Sequence, residues 1–323
     1  MPILVTGAAG FIGHALSHAL LDRGETVIGV DNLNDYYDVT LKDARLARLE
    51  ARAGFAFHRL DIADADPLRA LVVASGVDRV VHLAAQAGVR YSLIDPHAYA
   101  RSNLSGHLAV LEACRHAPAL RHLVYASSSS VYGDRPLEGA GFSEDDPAVH
   151  PVSLYAATKR SAELMSESYR MFGVPQTALR FFTVYGPWGR PDMAYFFFTQ
   201  KMLAGEPIEV FGEGKLARDF TYIDDIVAGI IGALDHPPEP SGHRILNIGN
   251  NRPETVRAMI AALEAALGVS ARMVMKPRPP GDVTATYADI SRLAALTGYA
   301  PRVSIGEGMA RFAAWYRDFY RIG

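Results

Sequence analysis

The most constraining stretch of the 323-residue chain is Ile3 to Gly13, I-L-V-T-G-A-A-G-F-I-G. Ile3-Leu4-Val5 is a short apolar run of the kind that forms a fully buried parallel strand. It breaks at Thr6-Gly7. From Phe11 the apolar residues return at helical spacing through Ile12, Ala15, Leu16, Ala19 and Leu20. Strand, turn and helix thus follow one another with almost no linker. Gly7, Gly10 and Gly13 are spaced G-x-x-G-x-x-G. Glycine tolerates the positive φ of so tight a turn, and a backbone without Cβ lets an anion come close to the helix N-terminus. The last glycine is expected where helix packs closely on strand.

A glycine triplet alone is weak evidence, because a flexible loop also produces one. Its context is stronger. A second strand, Thr26 to Val30, follows the helix and ends in Asp31, an acid placed to accept both hydroxyls of an adenosine ribose. The pattern predicts a dinucleotide site at Gly7, Gly10, Phe11, Ile12, Gly13, Asp31 and Asn32. Asp31 favours NAD over NADP, since its carboxylate repels a 2′-phosphate and Asn32-Leu33 bring no arginine to offset that. The glycine spacing resembles the fingerprint of short-chain dehydrogenases/reductases, in particular their extended branch.

Bulk properties narrow the field. A hydrophobic content of 49% suffices for a packed core, and a net charge of −3 suggests neither nucleic acid nor an anionic membrane as partner. One cysteine, Cys114, rules out an internal disulfide and fits a reducing cytoplasm. No apolar run approaches the ~20 residues of a membrane span. The chain starts directly on a strand, so no signal peptide is expected. No metal-ligand spacing stands out.

Alternation continues after Asp31. A helix over Leu41 to Arg52 leads to a strand at Phe55–Leu60, closing on Asp61-Ile62; another over Pro67 to Ala74 leads to a strand from Asp78 to Gln86. Such alternation predicts a parallel sheet with right-handed crossovers. The resemblance implies that Asp61 and Ile62 meet the adenine; on the residues alone, Asp61 reads equally well as a helix N-cap. Leu83, Ala84, Ala85 and Gln86 are expected under the cofactor at the sheet's ligand edge. Asn103, another cofactor candidate, is expected to open a long helix. The strand His122–Ala126 runs into four serines, Ser127 to Ser130, then Val131-Tyr132-Gly133. Between a buried strand and an aromatic–glycine turn, these serines read as a strand end presenting hydroxyls rather than as a linker.

Ser153 is placed to cap the next helix, on which Tyr155 and Lys159 lie one turn apart on one face. A free phenol, with a pKa of about 10, is a poor base at neutral pH. A nearby ammonium and a positively charged nicotinamide both favour the phenolate. A Y-x-x-x-K match is weak alone; following the serine strand and glycine turn in this order, it marks a reactive pair. Ser128, four residues before Tyr132, matches the position of the family's catalytic Ser/Thr, and its hydroxyl is expected on the reacting sugar oxygen.

The resemblance spans the chain and includes Arg218-Asp219-Phe220-Thr221-Tyr222-Ile223-Asp224-Asp225. It implies a doubly wound Rossmann-type α/β domain (residues 1–180 plus 219–253) and a smaller domain for a nucleotide sugar (181–218 plus 254–323). A homodimer joined through Ser102–His116 and Tyr155–Phe172 is also implied. Arg218 holds the position that grips the nucleotide diphosphate; the alternative, an ion pair with Asp219 or Asp224, explains little, because exposed pairs contribute little. Phe211 is expected on uracil, and Arg278 with Asp282, in P-R-P-P-G-D, matches a second nucleotide loop.

Two segments, Ala84 to Ser92 with Arg90, and Arg180 to Met193, resemble UDP-glucuronate 4-epimerases. Thr183 stands where UDP-galactose 4-epimerases usually carry Asn, and Ser130 where UDP-glucuronate decarboxylases usually carry Glu. The implied reaction takes UDP-glucuronate to UDP-galacturonate: Tyr155 removes the C4 hydroxyl proton as a hydride leaves C4, and the 4-keto sugar receives hydride on its other face. That intermediate is a β-keto acid, prone to losing carbon dioxide when the carboxylate bond aligns with the carbonyl π system. Thr183, Ser129 and Arg190 are the candidates for holding the carboxylate out of alignment. UDP-glucose/galactose 4-epimerisation is the nearest alternative, then decarboxylation, and a non-catalytic NAD-binding module is the alternative from another class.

Overall fold

A computed structural model describes residues 1–135, 141–278 and 283–322. Strands β1 (Ile3–Thr6), β2 (Val27–Asp31), β3 (Phe55–Arg59), β4 (Arg79–His82), β5 (His122–Ser128), β6 (Gln176–Phe181) and, later in the chain, β10 (His243–Ile248) form one seven-stranded sheet. Its order is β10-β6-β5-β4-β1-β2-β3, and every pair is parallel. The chain winds outward from β1 to β3, then returns to β4 on the other side. The crevice between β1 and β4 is therefore the topological switch point, where such sheets receive ligands.

Helices cover both faces, as an all-parallel sheet requires. On one face lie α1 (Phe11–Asp22), α2 (Val39–Glu50) and α8 (Ile223–Asp235), with Leu16, Leu20, Leu41, Leu49, Ile226 and Ile230 in their core. The other face carries α3 (Ala65–Ser75), a helical run made of α4 (Pro96–Tyr99), a wide π-type turn (Ala100–Ser105) and α5 (Gly106–Arg115), and then α6 (Leu154–Ser168). Cys114 lies in that second core, and burial alone raises its thiol to about 12.

Two expectations need correction. The strand expected over Asp78–Gln86 ends at His82. Beyond it the neighbouring β1 has ended in the glycine turn, so the chain leaves the ladder and lines the crevice. Asn103 does not open a helix: the run starts seven residues earlier at Pro96, capped by Asp95, which accepts from the Ala98 amide at 3.1 Å, and Asn103 falls inside the wide turn.

After β6 the architecture changes. β7 (Thr183–Tyr185) and β9 (Ala217–Tyr222) pair in parallel, and β11 (Pro253–Thr255) adds to β9 antiparallel. β8 (Ile208–Phe211) pairs with β12 (Met273–Lys276). α7 (Ala194–Leu203), α9 (Val256–Leu267) and α11 (Ile305–Tyr320) pack an aromatic core from Phe196, Phe312 and Tyr316; α10 (Ser291–Thr297) packs on α8. The segment after β6 thus leaves the main sheet, closes over its ligand edge, and rejoins it as β10. Among the described residues, no helix is long and apolar enough to cross a membrane.

Candidate active site

The glycine turn is built for close approach. Gly7 has φ +73°, and a Cβ on it would stand 2.8 Å from the Ala84 nitrogen; one on Gly13 would stand 2.1 Å from the Gly7 carbonyl oxygen. α1 therefore starts hard against β1. Its first N–H groups, on Phe11, Ile12 and Gly13, precede the first intrahelical donor, His14, whose amide donates to the Gly10 carbonyl at 3.0 Å. Gly10 supplies no side-chain cap, and the first turn carries no acid. This leaves the positive end of the helix open to a phosphate. Asp31 is pinned beside it, its two oxygens accepting from the Ala9 amide (3.1 Å) and the Leu33 amide (2.9 Å).

These groups border one cavity of about 850 Å³ along the switch point. Gly7, Gly10, Phe11, Ile12, Gly13, Asp31, Asn32, Asp61, Ile62, Leu83, Ala84, Ala85 and Gln86 line its sheet side; Ser128, Ser129, Tyr155 and Lys159 line its middle; Arg90, Thr183, Arg190, Phe211 and Arg218 line the rest. A dinucleotide fits this wall: open helix amides, a fixed acid at the end of β2, and a floor of small residues. Among the described residues no cluster of His, Cys, Asp or Glu is arranged to hold a metal.

At the centre, Ser153 caps α6 as expected, accepting from the Ala156 amide at 3.1 Å. β5 ends at Ser128, whose Oγ accepts from the Ser130 amide (3.2 Å) and hydroxyl (2.9 Å). Ser127 turns the other way and donates to Glu163 at 2.6 Å. Lys159 is buried and donates to the Ala126 carbonyl at 2.9 Å. Burial lowers its pKa to about 8, with Glu163 opposing. In Tyr155, burial is the largest influence and raises the phenol's pKa, while the hydrogen bond with Ser128 and the charge of Arg190 draw it down. The groups of the protein that draw the phenol down against desolvation are thus Ser128 and Arg190.

Other predicted residues take different places. Asn103 is off the cavity wall: its side chain accepts from the Gln86 amide (2.8 Å) and donates to the Gln86 carbonyl (3.0 Å) and Thr158 hydroxyl (3.1 Å), fixing the chain where β4 ends. Asp61 is not the N-cap of α3, which begins after Asp64; it accepts from the Ala63 amide at 2.9 Å and pairs with Arg101. Arg90 lies over the Phe211 ring, 4.9 Å from its centroid, bringing two substrate candidates together. Asp219 accepts from the amides of Asn250, Asn251 and Ala288, and Asp224 pairs with Arg311, so the ion pairs weighed for Arg218 find both acids engaged by other groups. Arg278 is turned onto Asp134 (3.0 Å) and Thr284 (2.6 Å), away from the cavity wall. Asp282 lies outside the described residues.

Sequence reasoning overlooked Tyr36, Lys42 and Asp192, all of which line the cavity. Lys42 donates to the carbonyl and side-chain oxygens of Asn34, both at 2.6 Å, and lies within the field of Asp31. A signal for it existed: Lys42 and Arg45 interrupt the apolar stripe of α2 formed by Leu41, Leu46 and Leu49. Cations on a buried face need partners.

The NAD dependent epimerase/dehydratase family matches residues 3–249. The chain is 47% identical to UDP-glucuronate 4-epimerase 3 of Arabidopsis thaliana, over 99% of this chain and 77% of that one. It is 44% identical to a probable UDP-glucuronate 4-epimerase of Rhizobium meliloti, over 99% and 98%. In structure it is similar to UDP-glucuronic acid 4-epimerase from Bacillus cereus, solved in complex with UDP-glucuronic acid and NAD, with a TM-score of 0.92, 38% identity and coverage of 99% and 100%. A family match over residues 3–249, with relatives 44% and 47% identical along 99% of the chain, means that this protein belongs to the NAD dependent epimerase/dehydratase family.

Proposed function

We propose that the protein inverts C4 of UDP-glucuronic acid, giving UDP-galacturonic acid through a 4-keto sugar, with NAD as its resident cofactor. The observation that carries this reading is the meeting of Tyr155, Ser128, Thr183 and Arg190 on one cavity whose far end is the open N-terminus of α1. Relatives named for this reaction, and a neighbour solved with its substrate, support it.

Bound NAD would lie along the glycine turn, Asp31 and Leu83–Gln86, and supplies the hydride acceptor and donor. The remaining work belongs to side chains. Tyr155 accepts the C4 hydroxyl proton and returns it, and Ser128 hydrogen-bonds both that oxygen and the phenol. Lys159, anchored on Ala126, stands one helical turn behind Tyr155 with its charge on the cofactor side. Arg218 and Phe211, with Arg90 over the ring, are assigned to the nucleotide. Thr183, Ser129 and Arg190 are assigned to the sugar carboxylate, held so that its C–C bond does not align with the ketone. Ser130 adds no carboxylate beside the reaction; its hydroxyl is spent on Ser128.

The division into residues 1–180 with 219–253, and 181–218 with 254–323, is our working assignment of cofactor and sugar domains. β10 in the main sheet and α8 against α1 support the return segment. A cytoplasmic homodimer through the faces of α5 and α6 completes the reading, and the exposure of Leu108 and Leu164 on those helices supports it.

The test is direct. Protein released by acid should yield NAD by mass spectrometry, and UDP-glucuronate should convert to UDP-galacturonate faster than UDP-glucose to UDP-galactose. Tyr155→Phe should keep NAD and lose turnover by about 10²–10⁴-fold. Thr183→Val or Arg190→Met should raise the pentose by-product. Preference for the neutral sugar, or clean acid epimerisation by both of the last variants at the wild-type rate, overturns the carboxylate assignment.

A further inference from the structure

The segment from Asn34 to Arg45 does more than join β2 to α2: it reaches across to the loop that carries Arg190. Arg45 is fully buried. Its guanidinium donates to the Trp188 carbonyl (2.6 and 3.1 Å), the Gly189 carbonyl (2.9 Å) and the Ala9 carbonyl in the glycine turn (3.2 Å), and to the Tyr37 hydroxyl (2.7 Å). The two carbonyls immediately before Arg190 are therefore held by a rigid fork. Trp188 has φ +62°, a left-handed conformation that a tryptophan does not choose unaided, so these bonds hold a turn that local preference would not.

On the other side of Arg190, the Tyr36 hydroxyl donates to Asp192 Oδ2 at 3.1 Å, and Asp192 Oδ1 accepts from Arg190 Nε at 3.0 Å. Arg190 Nη2 donates to Asp192 Oδ2 as well. Asp192 thus occupies one edge of the guanidinium, sets its plane, and leaves Nη1 for a ligand. Tyr36 is itself packed on Tyr91, with ring centroids 4.7 Å apart.

We propose that Tyr36 and Arg45 are positioning residues that bracket Arg190, so that its remaining edge meets the sugar carboxylate in one orientation. This rests on the function proposed above. Their role is to suppress a side reaction. In the 4-keto acid the C5–C6 bond breaks, its electron pair passes to the C4 oxygen as an enolate, C6 leaves as carbon dioxide, and C5 takes a proton to give a UDP-4-keto-pentose. A carboxylate held by a fixed guanidinium stays off the alignment this requires; one held by a swinging guanidinium does not.

The test uses the NAD-loaded enzyme and UDP-glucuronate, with keto-pentose and pentose products measured against UDP-galacturonate by mass spectrometry. Tyr36→Phe and Asp192→Asn should each raise the pentose share by about tenfold, the factor carried by one hydrogen bond to a charged group. Because both loosen the same bracket, the double variant should rise no further than the greater single one. Arg45→Lys, which keeps the charge but cannot fork onto two carbonyls, should raise the pentose share and change kcat more than KM. If that variant fails to fold, the Tyr36 and Asp192 cycle decides alone. Wild-type partition in both single variants, or independent multiplication of their effects in the double one, overturns the proposal. A wild-type protein that leaves UDP-glucuronate untouched removes the functional reading and this one with it, whereas clean wild-type turnover with unaltered variants removes only the bracket.

Discussion

Gly13→Ala sets two opposing effects against each other inside one helix. Alanine in a helix is worth about 0.8–1.0 kcal/mol over glycine, so local propensity favours the change. Packing opposes it. The new methyl carbon would stand 2.1 Å from the Gly7 carbonyl oxygen, 2.8 Å from its carbon and 3.1 Å from the Ala8 Cα, all backbone. Carbon and carbonyl oxygen ordinarily approach to about 3.3 Å, so α1 must move by about 1 Å. Overpacking of this kind costs about 1–3 kcal/mol. The displaced Gly7 oxygen also accepts the Gly10 amide at 2.9 Å, and weakening that bond adds about 1 kcal/mol. The net expectation is a loss of about 1–3 kcal/mol and a melting temperature lower by several degrees. The open amides of Phe11 and Ile12 move with the helix, so retained NAD should fall as well. Gly306→Ala is the matched control: it lies in the first turn of α11 with nothing within 4 Å of the added carbon, and should melt at or slightly above the wild type. Thermal melts and chromatography of acid-released NAD measure both quantities. If Gly13→Ala matched Gly306→Ala in melting temperature and NAD content, the close-approach argument would be wrong.

The protein should also lose stability early in acid. Burial lowers the pKa of His14 to about 2, His107 to about 3 and His122 to about 4. Each is neutral when folded, whereas the unfolded chain takes up a proton near pH 6.5. The stability these groups contribute is whole above that pH and is lost on acidification at up to about 1.4 kcal/mol per pH unit each. Melting temperature should fall steadily from pH 6.5 to 4.5, and His107→Gln should flatten the slope; a level profile over that range contradicts the assignment. A third test concerns the pair Glu163–Arg180, both essentially inaccessible and joined by two bonds of 2.9 Å. Glu163→Leu leaves a buried guanidinium and should cost about 3–5 kcal/mol, while Glu163→Leu with Arg180→Met should recover much of it. Urea denaturation followed by circular dichroism distinguishes these, and equal stability of single and double variants would show that the buried charge is not the cause.

Order along the chain was enough to find one wall of the cavity. Ile3 to Gly13, Asp31, and Tyr155 with Lys159 work through contacts made within one βα unit or one helical turn, and such contacts are set by spacing. The structure put these residues on one crevice because strands that alternate with helices stack in parallel and their C-terminal ends share an edge. What spacing could not supply was any arrangement between segments remote in sequence. Asn103 and Gln86 are joined by a side chain reaching from the wide turn to the chain beyond β4, and Tyr36 meets Asp192 across 156 positions of chain. The sign of the balance on Tyr155 was likewise hidden. Spacing puts an ammonium one turn away, but only the packed cavity sets how much water the phenol loses and brings Ser128 and Arg190 to it. Arg45 is the clearest case: on the sequence it is a misplaced cation on an apolar stripe, and only folding brings to it the carbonyls of Ala9, Trp188 and Gly189, because a buried guanidinium must find acceptors wherever the tertiary fold provides them.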